Sequence, residues 1–346
     1  MNNIDGTTMI STIEYHTGGE PFRIVIGGVP VPRGKTVLDR REHCQQHLDD
    51  IRQFLINEPR GHADMYGCFV TPPDPDEGRH GEGAFGMVFF HKDGFSTACG
   101  HGTIAGVTWA IDSKRIDAVS PVTELWVDVP SGRLHVHADV TDDKVRSVRF
   151  ENVPSFVSTT ELPVVTDQGE FVVDVSYGGA FYASADVAQL GAPITPAELP
   201  RLIEAGRAIK SALDDHESTR HPEDDRLSGC YGTIWFEHQG VDDDGTVRQR
   251  NVTVFADGEV DRSPCGSGTA ARLALLDHRR ELQRGAKLVH TSIVDSRFTA
   301  HVIGDGPTIA GRPTVRTEIA GRAHQTGIGM FTFDATDELG LGFQLR

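Results

Sequence analysis

Two short stretches of the chain set a cysteine in the same run of small residues: "TACGHGTIAG" from Thr97 to Gly106 and "SPCGSGTAAR" from Ser263 to Arg272. Both read Cys-Gly-X-Gly-Thr-X-Ala, and both lead into apolar, helix-forming segments, "IAGVTWAI" and "AARLALLDH". A thiol at a helix start faces backbone N–H groups without intrahelical partners and the positive end of the dipole. That position predicts a lowered pKa for Cys99 and Cys265. Gly100 and Gly102, like Gly266 and Gly268, would let a ligand approach the backbone closely, and Thr103 and Thr269 would add hydroxyl donors. Two such turns facing each other would hold a carboxylate on backbone amides, with one sulfur on each side of the carbon between them. One thiolate could then remove a proton from a stereocentre while the opposite thiol delivers one to the other face. A single Cys-Gly turn reads as a tight helix entrance; two in matching contexts favour the chemistry.

The elements around the motifs repeat as well. The first half opens with strand-like "ISTIEYHTGG" and "FRIVIGGVP". A helix is expected from about Arg40 to Asn57, where Cys44, Leu48, Ile51 and Leu55 recur at three- and four-residue spacing. "MYGCFVTP" and "GMVFFHK" read as strands around the loop "PDPDEGRHGEGAFG", which lacks the strand-to-helix frame of a dinucleotide site. "TELWVDVPSGRLHVHADV" reads as a hairpin turning at Pro130-Ser131-Gly132. The second half has strand-like "FVVDVSYGGAFYASADV". A helix follows with Thr195 and Glu198 as a capping box, Pro196 in its first turn, and an apolar stripe of Leu199, Leu202, Ile203, Ile209 and Leu213. "NVTVFADGEVDRSPCGSGTAARLALLDH" then runs strand, turn, helix. The chain is expected to form an N-terminal lobe over 1–150 and a C-terminal lobe over 151–324, with the tail, about 325–346, returning to the first.

A length of 346 residues exceeds what one core usually supports, consistent with two lobes. With 33 Lys and Arg against 50 Asp and Glu, the formal charge of −17 opposes binding to nucleic acid or anionic membranes. The N-terminus lacks the pattern of a signal peptide, and no run approaches the length of a membrane span, so a cytoplasmic location is expected. Five cysteines and no Cys-X-X-Cys pair argue for thiols rather than a disulfide framework or zinc ribbon. Cys44 is expected in the core, and Cys68 and Cys230 at core or wall positions.

Several blocks resemble the signatures of the proline racemase family: "HTGGEPFRIV", "EPRGHADMYG", "ACGHGTIA", "VSYGGAFYA" and "DRSPCGSGT", spread over nearly the whole chain in the family's order. The resemblance implies an α/β (α+β), diaminopimelate-epimerase-like fold: two pseudo-symmetric lobes, each with a curved sheet around a central helix. It implies no pyridoxal phosphate and no metal. No cofactor is expected, with a small imino acid as the substrate and a monomer or homodimer as the assembly. It places the catalytic pair on Cys99 and Cys265, and the carboxylate cradle on Gly100 with His101 and Gly266 with Ser267. The acid that holds the ring nitrogen falls on Asp261, and the aromatic residues that pack on the pyrrolidine ring fall on Tyr66 and Phe255.

Within the family the chain as a whole looks most like the trans-3-hydroxy-L-proline dehydratases. Those enzymes typically carry Thr in place of the second cysteine, whereas Cys265 is present here. Inversion needs a second proton carrier and dehydration does not, so the leading expectation is a hydroxyproline 2-epimerase, most simply of 4-hydroxyproline. Dehydration of trans-3-hydroxy-L-proline is the alternative, and an imino-acid binding protein without catalysis a further one. The remaining histidines read as structural. His43 and His47 stand on one helix face and His135 and His137 on one strand face, both as solvated pairs, while His16 and His62 sit in glycine-flanked turns.

Overall fold

The computed structural model describes residues 4–75 and 83–345, and the middle of the loop expected between "MYGCFVTP" and "GMVFFHK" lies outside them. The chain divides into two units, Met1–Val148 with Arg322–Arg346, and Arg149–Gly321.

In the first unit, β1 (Met9–Thr17) and β2 (Glu20–Gly27) form an antiparallel hairpin, and β1 also pairs with the C-terminal strand Ala323–Thr332. The apolar stripe after β2 is interrupted at Leu48, giving two helices, α1 (Val37–His47) and α2 (Asp49–Ile56), where one was expected. Leu48 adopts φ −127° and ψ 17°, outside the helical region, while its side chain stays in the core. Cys44, Leu48, Ile51 and Leu55 are all buried, so the periodicity survives the break. Burying each Leu or Ile contributes about 1.5–3 kcal/mol. Thr36 and Asp39 close a capping box at the start of α1.

Strand β3 (Tyr66–Thr71) then lies parallel to β2 and antiparallel to β4 (Gly83–His91). Helix α3 (Gly100–Asp112) carries the chain from β4 to β5 (Val122–Val129), which is parallel to β4. Strand β6 (Gly132–Thr141) returns antiparallel to β5, with Val129 opposite Gly132 across the Pro130-Ser131 turn. Strand β7 (Lys144–Glu151) leads into the second unit.

There β8 (Phe156–Thr166) pairs antiparallel with β9 (Gly169–Tyr177), and β9 forms a hairpin with β10 (Phe181–Asp186). The capping box expected at Thr195 is not formed. Pro196–Glu198 make a 3-10 turn, so α4 (Leu199–Leu213) begins a turn later and Thr195 is too early to cap it. The stripe buries Leu202, Ile209 and Leu213, whereas Leu199 and Ile203 are only half-buried. Strand β11 (Cys230–Val241) is parallel to β10 and antiparallel to β12 (Val247–Phe255). A short β13 (Glu259–Asp261) folds back on β12 before α5 (Gly266–His278). Strand β14 (Leu288–Ser292) is parallel to β12, followed antiparallel by β15 (Arg297–Asp305) and β16 (Val315–Gly321).

From β1 to β6 the pairings run antiparallel, parallel, antiparallel, parallel, antiparallel. From β9 through β10, β11, β12, β14 and β15 they run the same way. Each unit is therefore one copy of one α/β topology, with α3 and α5 as equivalent crossover helices. Gly100–Ile111 and Gly266–Leu276 are buried on every face, as a helix surrounded by sheet must be. The two cysteine motifs start these two helices. Among the described residues no helix is long and apolar enough to cross a membrane.

Candidate active site

In the first unit Cys99 occupies the N-cap of α3 in an extended conformation, φ −155° and ψ 98°. Its Sγ accepts a hydrogen bond from the Gly102 N–H at 3.3 Å, so the sulfur itself takes the place of a capping oxygen. The second glycine of the motif is needed for this. A Cβ at position 102 would lie 2.7 Å from Cys99 Sγ and would also overlap the Phe22 ring. The Thr103 hydroxyl donates back to Cys99 O at 2.9 Å, so it braces the turn rather than reaching outward as expected. His101 lies against the thiol, with Sγ 3.5 Å from Nε2 and 3.6 Å from Nδ1. Burial pushes the pKa of His101 down to about 3, so the imidazole is neutral at ordinary pH. Tyr66 packs edge-on to the His101 ring at 5.0 Å, and its hydroxyl donates to Ser96 Oγ. Cys99, Gly100, His101 and Tyr66 thus form one cluster.

In the second unit the same motif takes a different posture. Cys265 has φ +63° and ψ 111°, a region an L-residue adopts only under strain, and its side chain makes no cap hydrogen bond. Its Sγ instead lies 3.6 Å from the Tyr182 hydroxyl, which is also 2.6 Å from Ser267 Oγ. Burial pushes the Cys265 thiol up to about 12, and the charge of Asp261 adds to the shift. The Tyr182 hydroxyl, the Gly268 amide and the Thr253 hydroxyl act in the other direction without reversing it. The helix-start argument, which expects a lowered value, therefore fails for Cys265: desolvation outweighs the dipole. Asp261 sits at the end of β13 and accepts a hydrogen bond from Ser263 N at 2.8 Å, while Ser263 Oγ accepts one from Cys265 N at 3.1 Å. Burial raises its pKa to about 6, and the Ser263 hydrogen bonds partly offset that rise. The Thr269 hydroxyl donates to Pro264 O at 3.1 Å and contacts His290 Nδ1 at 2.8 Å, again bracing the turn. Phe255 stacks on Tyr231 at 5.5 Å, and Tyr231 packs edge-on to Tyr182 at the same spacing. Cys265, Gly266, Ser267 and Asp261 share one neighbourhood, and Phe255 joins it through the tyrosine pair.

The family model described as proline racemase matches residues 12–344. The chain belongs to the proline racemase family. It is 41% identical over 335 residues to a trans-3-hydroxy-L-proline dehydratase of Bacillus thuringiensis subsp. konkukian, covering 97% of this chain and 98% of that protein. It is 39% identical over 338 residues to a 3-hydroxyproline 2-epimerase of Burkholderia multivorans, covering 97% and 98%. The crystal structure of a hydroxyproline epimerase from Agrobacterium vitis with bound trans-4-OH-L-proline superposes with a TM-score of 0.88 at 32% identity, covering 98% of this chain and 96% of that one. Members of the family are isomerases or hydro-lyases, and this protein is an enzyme of that kind.

Other residues of this proline racemase family member take supporting places. Cys44, Cys68 and Cys230 are free, buried thiols, and burial raises the pKa of each. His16 Nδ1 accepts from Gly19 N at 3.2 Å, and His62 Nδ1 contacts Ala63 O at 2.7 Å, both local turn contacts. The sequence reading misses Tyr182, Ser263 and Ser96. Tyr182 stands in the block "GGAFYA" and fell within the family resemblance, but nothing in strand alternation aims its hydroxyl at a sulfur eighty-odd residues away in the chain.

Proposed function

We propose that the protein is a hydroxyproline 2-epimerase in which Cys99 and Cys265 alternate as base and acid at Cα. The observation that carries this reading is that each unit begins its buried crossover helix on a Cys-Gly turn of one motif, at equivalent points of one topology. In one direction the Cys99 thiolate removes the Cα proton and the Cys265 thiol delivers a proton to the opposite face. In the other direction the roles exchange, as reversible general acid–base catalysis requires. A Cys265 thiol held up to about 12 supports a protonated resting state, which is what the acid must be. Asp261, up to about 6, is largely a carboxylate at pH 7 and suits a protonated ring nitrogen. The backbone amides at Gly100 and Gly266, at two helix starts, suit the substrate carboxylate. The trans-4-OH-L-proline bound to the Agrobacterium vitis epimerase favours 4-hydroxyproline as substrate.

A second reading, dehydration of trans-3-hydroxy-L-proline, draws on relatives of higher identity that bear that name. There Cys99 takes the Cα proton, the β-hydroxyl takes up a proton and leaves as water, the enamine so formed tautomerises to the Δ1-pyrroline, and Cys265 is dispensable. Incubation with L-proline, trans-4-hydroxy-L-proline and trans-3-hydroxy-L-proline in D2O separates the two. Epimerisation inverts Cα and leaves one deuterium there, whereas dehydration yields a Δ1-pyrroline carboxylate. Inversion retained at full rate by Cys265→Ala would overturn the two-thiol mechanism.

A further inference from the structure

The β5–β6 hairpin carries a side-chain cluster that Cα chemistry does not use. Along both strands the two-residue period sends Leu125, Val127, Leu134, Val136 and Ala138 into the core. The same period leaves Glu124, Trp126, His135 and His137 on the other face. The antiparallel register sets Glu124 opposite His137 and Trp126 opposite His135. The strand spacing alone gave a pair of histidines; the fold adds a carboxylate from the partner strand. His135 Nε2 lies 2.6 Å from Glu124 Oε1, and the two imidazole rings are 4.4 Å apart. One ligand atom from each of Glu124, His135 and His137 lies within 4.8 Å of the others. Trp126 stacks on His135 at 4.6 Å and 11° between planes, which restrains the ring.

We propose that this face binds one divalent transition-metal ion of the zinc class, held by the Glu124 carboxylate and one ring nitrogen each of His135 and His137, with water completing the shell. Around tetrahedral zinc, with bonds of about 2.0–2.1 Å, neighbouring ligand atoms stand about 3.4 Å apart. The three groups are within side-chain adjustment of that spacing, and each residue keeps its strand position. Two imidazoles select zinc, nickel or copper over magnesium and calcium, which prefer all-oxygen shells. The bland alternative is that His135 and Glu124 form an ordinary exposed ion pair, worth about 0–1 kcal/mol. The metal reading differs in requiring His137. Its ion would link the two strands of a hairpin whose turn donates Ser131 N–H to Thr97 O at 2.9 Å, two residues before Cys99. Ion binding would therefore stiffen the segment that enters α3.

The test uses the full chain, stripped of metal by chelator and titrated with Zn2+ by calorimetry and with Co2+ by visible absorption. The expected result is one ion per chain, Co2+ bands of nitrogen and oxygen ligation, no competition from Mg2+, and slowed amide exchange over residues 122–139. Affinity should fall about tenfold or more in both His137→Gln and Glu124→Gln. Three results would overturn the proposal: absence of 1:1 binding, affinity unchanged in the variants, or an intense sulfur-to-cobalt charge-transfer band placing the ion on thiols. Circular dichroism and melting of the ion-free variants separate lost ligation from lost folding. Should His137→Gln fail to fold, Glu124→Gln, at an exposed position, decides the matter.

Discussion

Removing one oxygen atom, in Tyr182→Phe, tests whether the second thiol depends on its buried hydroxyl. Tyr182 and Ser267 are both nearly inaccessible, and their hydroxyls lie 2.6 Å apart, with Cys265 Sγ 3.6 Å from the tyrosine oxygen. Phenylalanine keeps the edge-on packing against Tyr231, so no cavity opens and the change is confined to the polar group. Leaving Ser267 Oγ without this partner costs about 1–3 kcal/mol of stability. The same hydroxyl pulls the Cys265 thiol down against burial, so its loss raises an already high value and makes the thiolate scarcer. If the thiolate loses about 1.4 kcal/mol of stabilisation, kcat/KM falls about tenfold, and it must fall equally in both directions because the equilibrium is unaltered. Urea unfolding reads the first effect, and polarimetry on each epimer reads the second. A variant as stable and as active as the parent would refute the network. A less stable variant with unchanged kcat/KM would show that the hydroxyl serves only the fold.

Three further outcomes follow from the same groups. On the proposed role of Asp261 toward the ring nitrogen, Asp261→Asn should lower kcat/KM roughly 10- to 100-fold. With Asp261 near 6 the parent should also lose activity as pH falls through that value, and the variant should lack this acidic limb in its pH–rate profile. On stability, burial holds His101 and His290 down to about 3 and Asp261 up to about 6. Below pH 6.5 the unfolded chain gains protons at the histidines that the folded one refuses, so stability is lost. Between about 6 and 3.8 the folded chain gains one at Asp261 first, so stability is recovered. At pH 4 each histidine costs about 3 kcal/mol and Asp261 returns about 2, so the net change from these groups is a loss on the order of 4 kcal/mol. Urea midpoints from pH 7 to pH 4 should therefore decline, and less steeply in His290→Gln; a rise toward pH 4 contradicts the balance.

What the sequence discloses here is local, and what it withholds is set by contacts far apart in the chain. Both helix starts, the Pro130-Ser131 turn and the buried stripe through Cys44 and Leu55 are written in neighbouring residues, where period and turn chemistry act. The break at Leu48 is not, because the stripe continues across it and only the backbone of one core residue departs. Thr195 carries a correct capping signature that a 3-10 turn makes irrelevant. Tyr182 on β10 reaches Cys265 at the start of α5 through tertiary packing, and Glu124 reaches His137 through strand register, both properties of the folded chain. The thiol pKa is the sharpest case. Position at a helix start is legible and favours the anion; depth of burial is not legible, and for Cys265 it dominates.

That difference bears on how two copies of one motif can do unlike work. Cys99 is an extended N-cap whose sulfur receives an amide hydrogen bond, the arrangement that welcomes negative charge on sulfur. Cys265 is held at positive φ beside a carboxylate that disfavours the anion, and the Gly268 amide and Tyr182 hydroxyl oppose burial there without prevailing. In the proposed two-thiol mechanism each turnover starts with one thiolate and one thiol, and unequal turns would bias which cysteine holds the proton. Alkylation by limiting iodoacetamide at pH 8 reads this directly. A thiol near 12 is ionised only to about one part in ten thousand there, so Cys99 should be carbamidomethylated well before Cys265. Cys44, Cys68 and Cys230, 0–2% exposed against 6% for Cys99 and 5% for Cys265, should react only on unfolding. Peptide mass spectrometry over a time course gives the order. Equal labelling of the two motif cysteines, or Cys265 first, would show that the depth of Cys265 does not govern its ionisation and that the two turns are chemically equivalent.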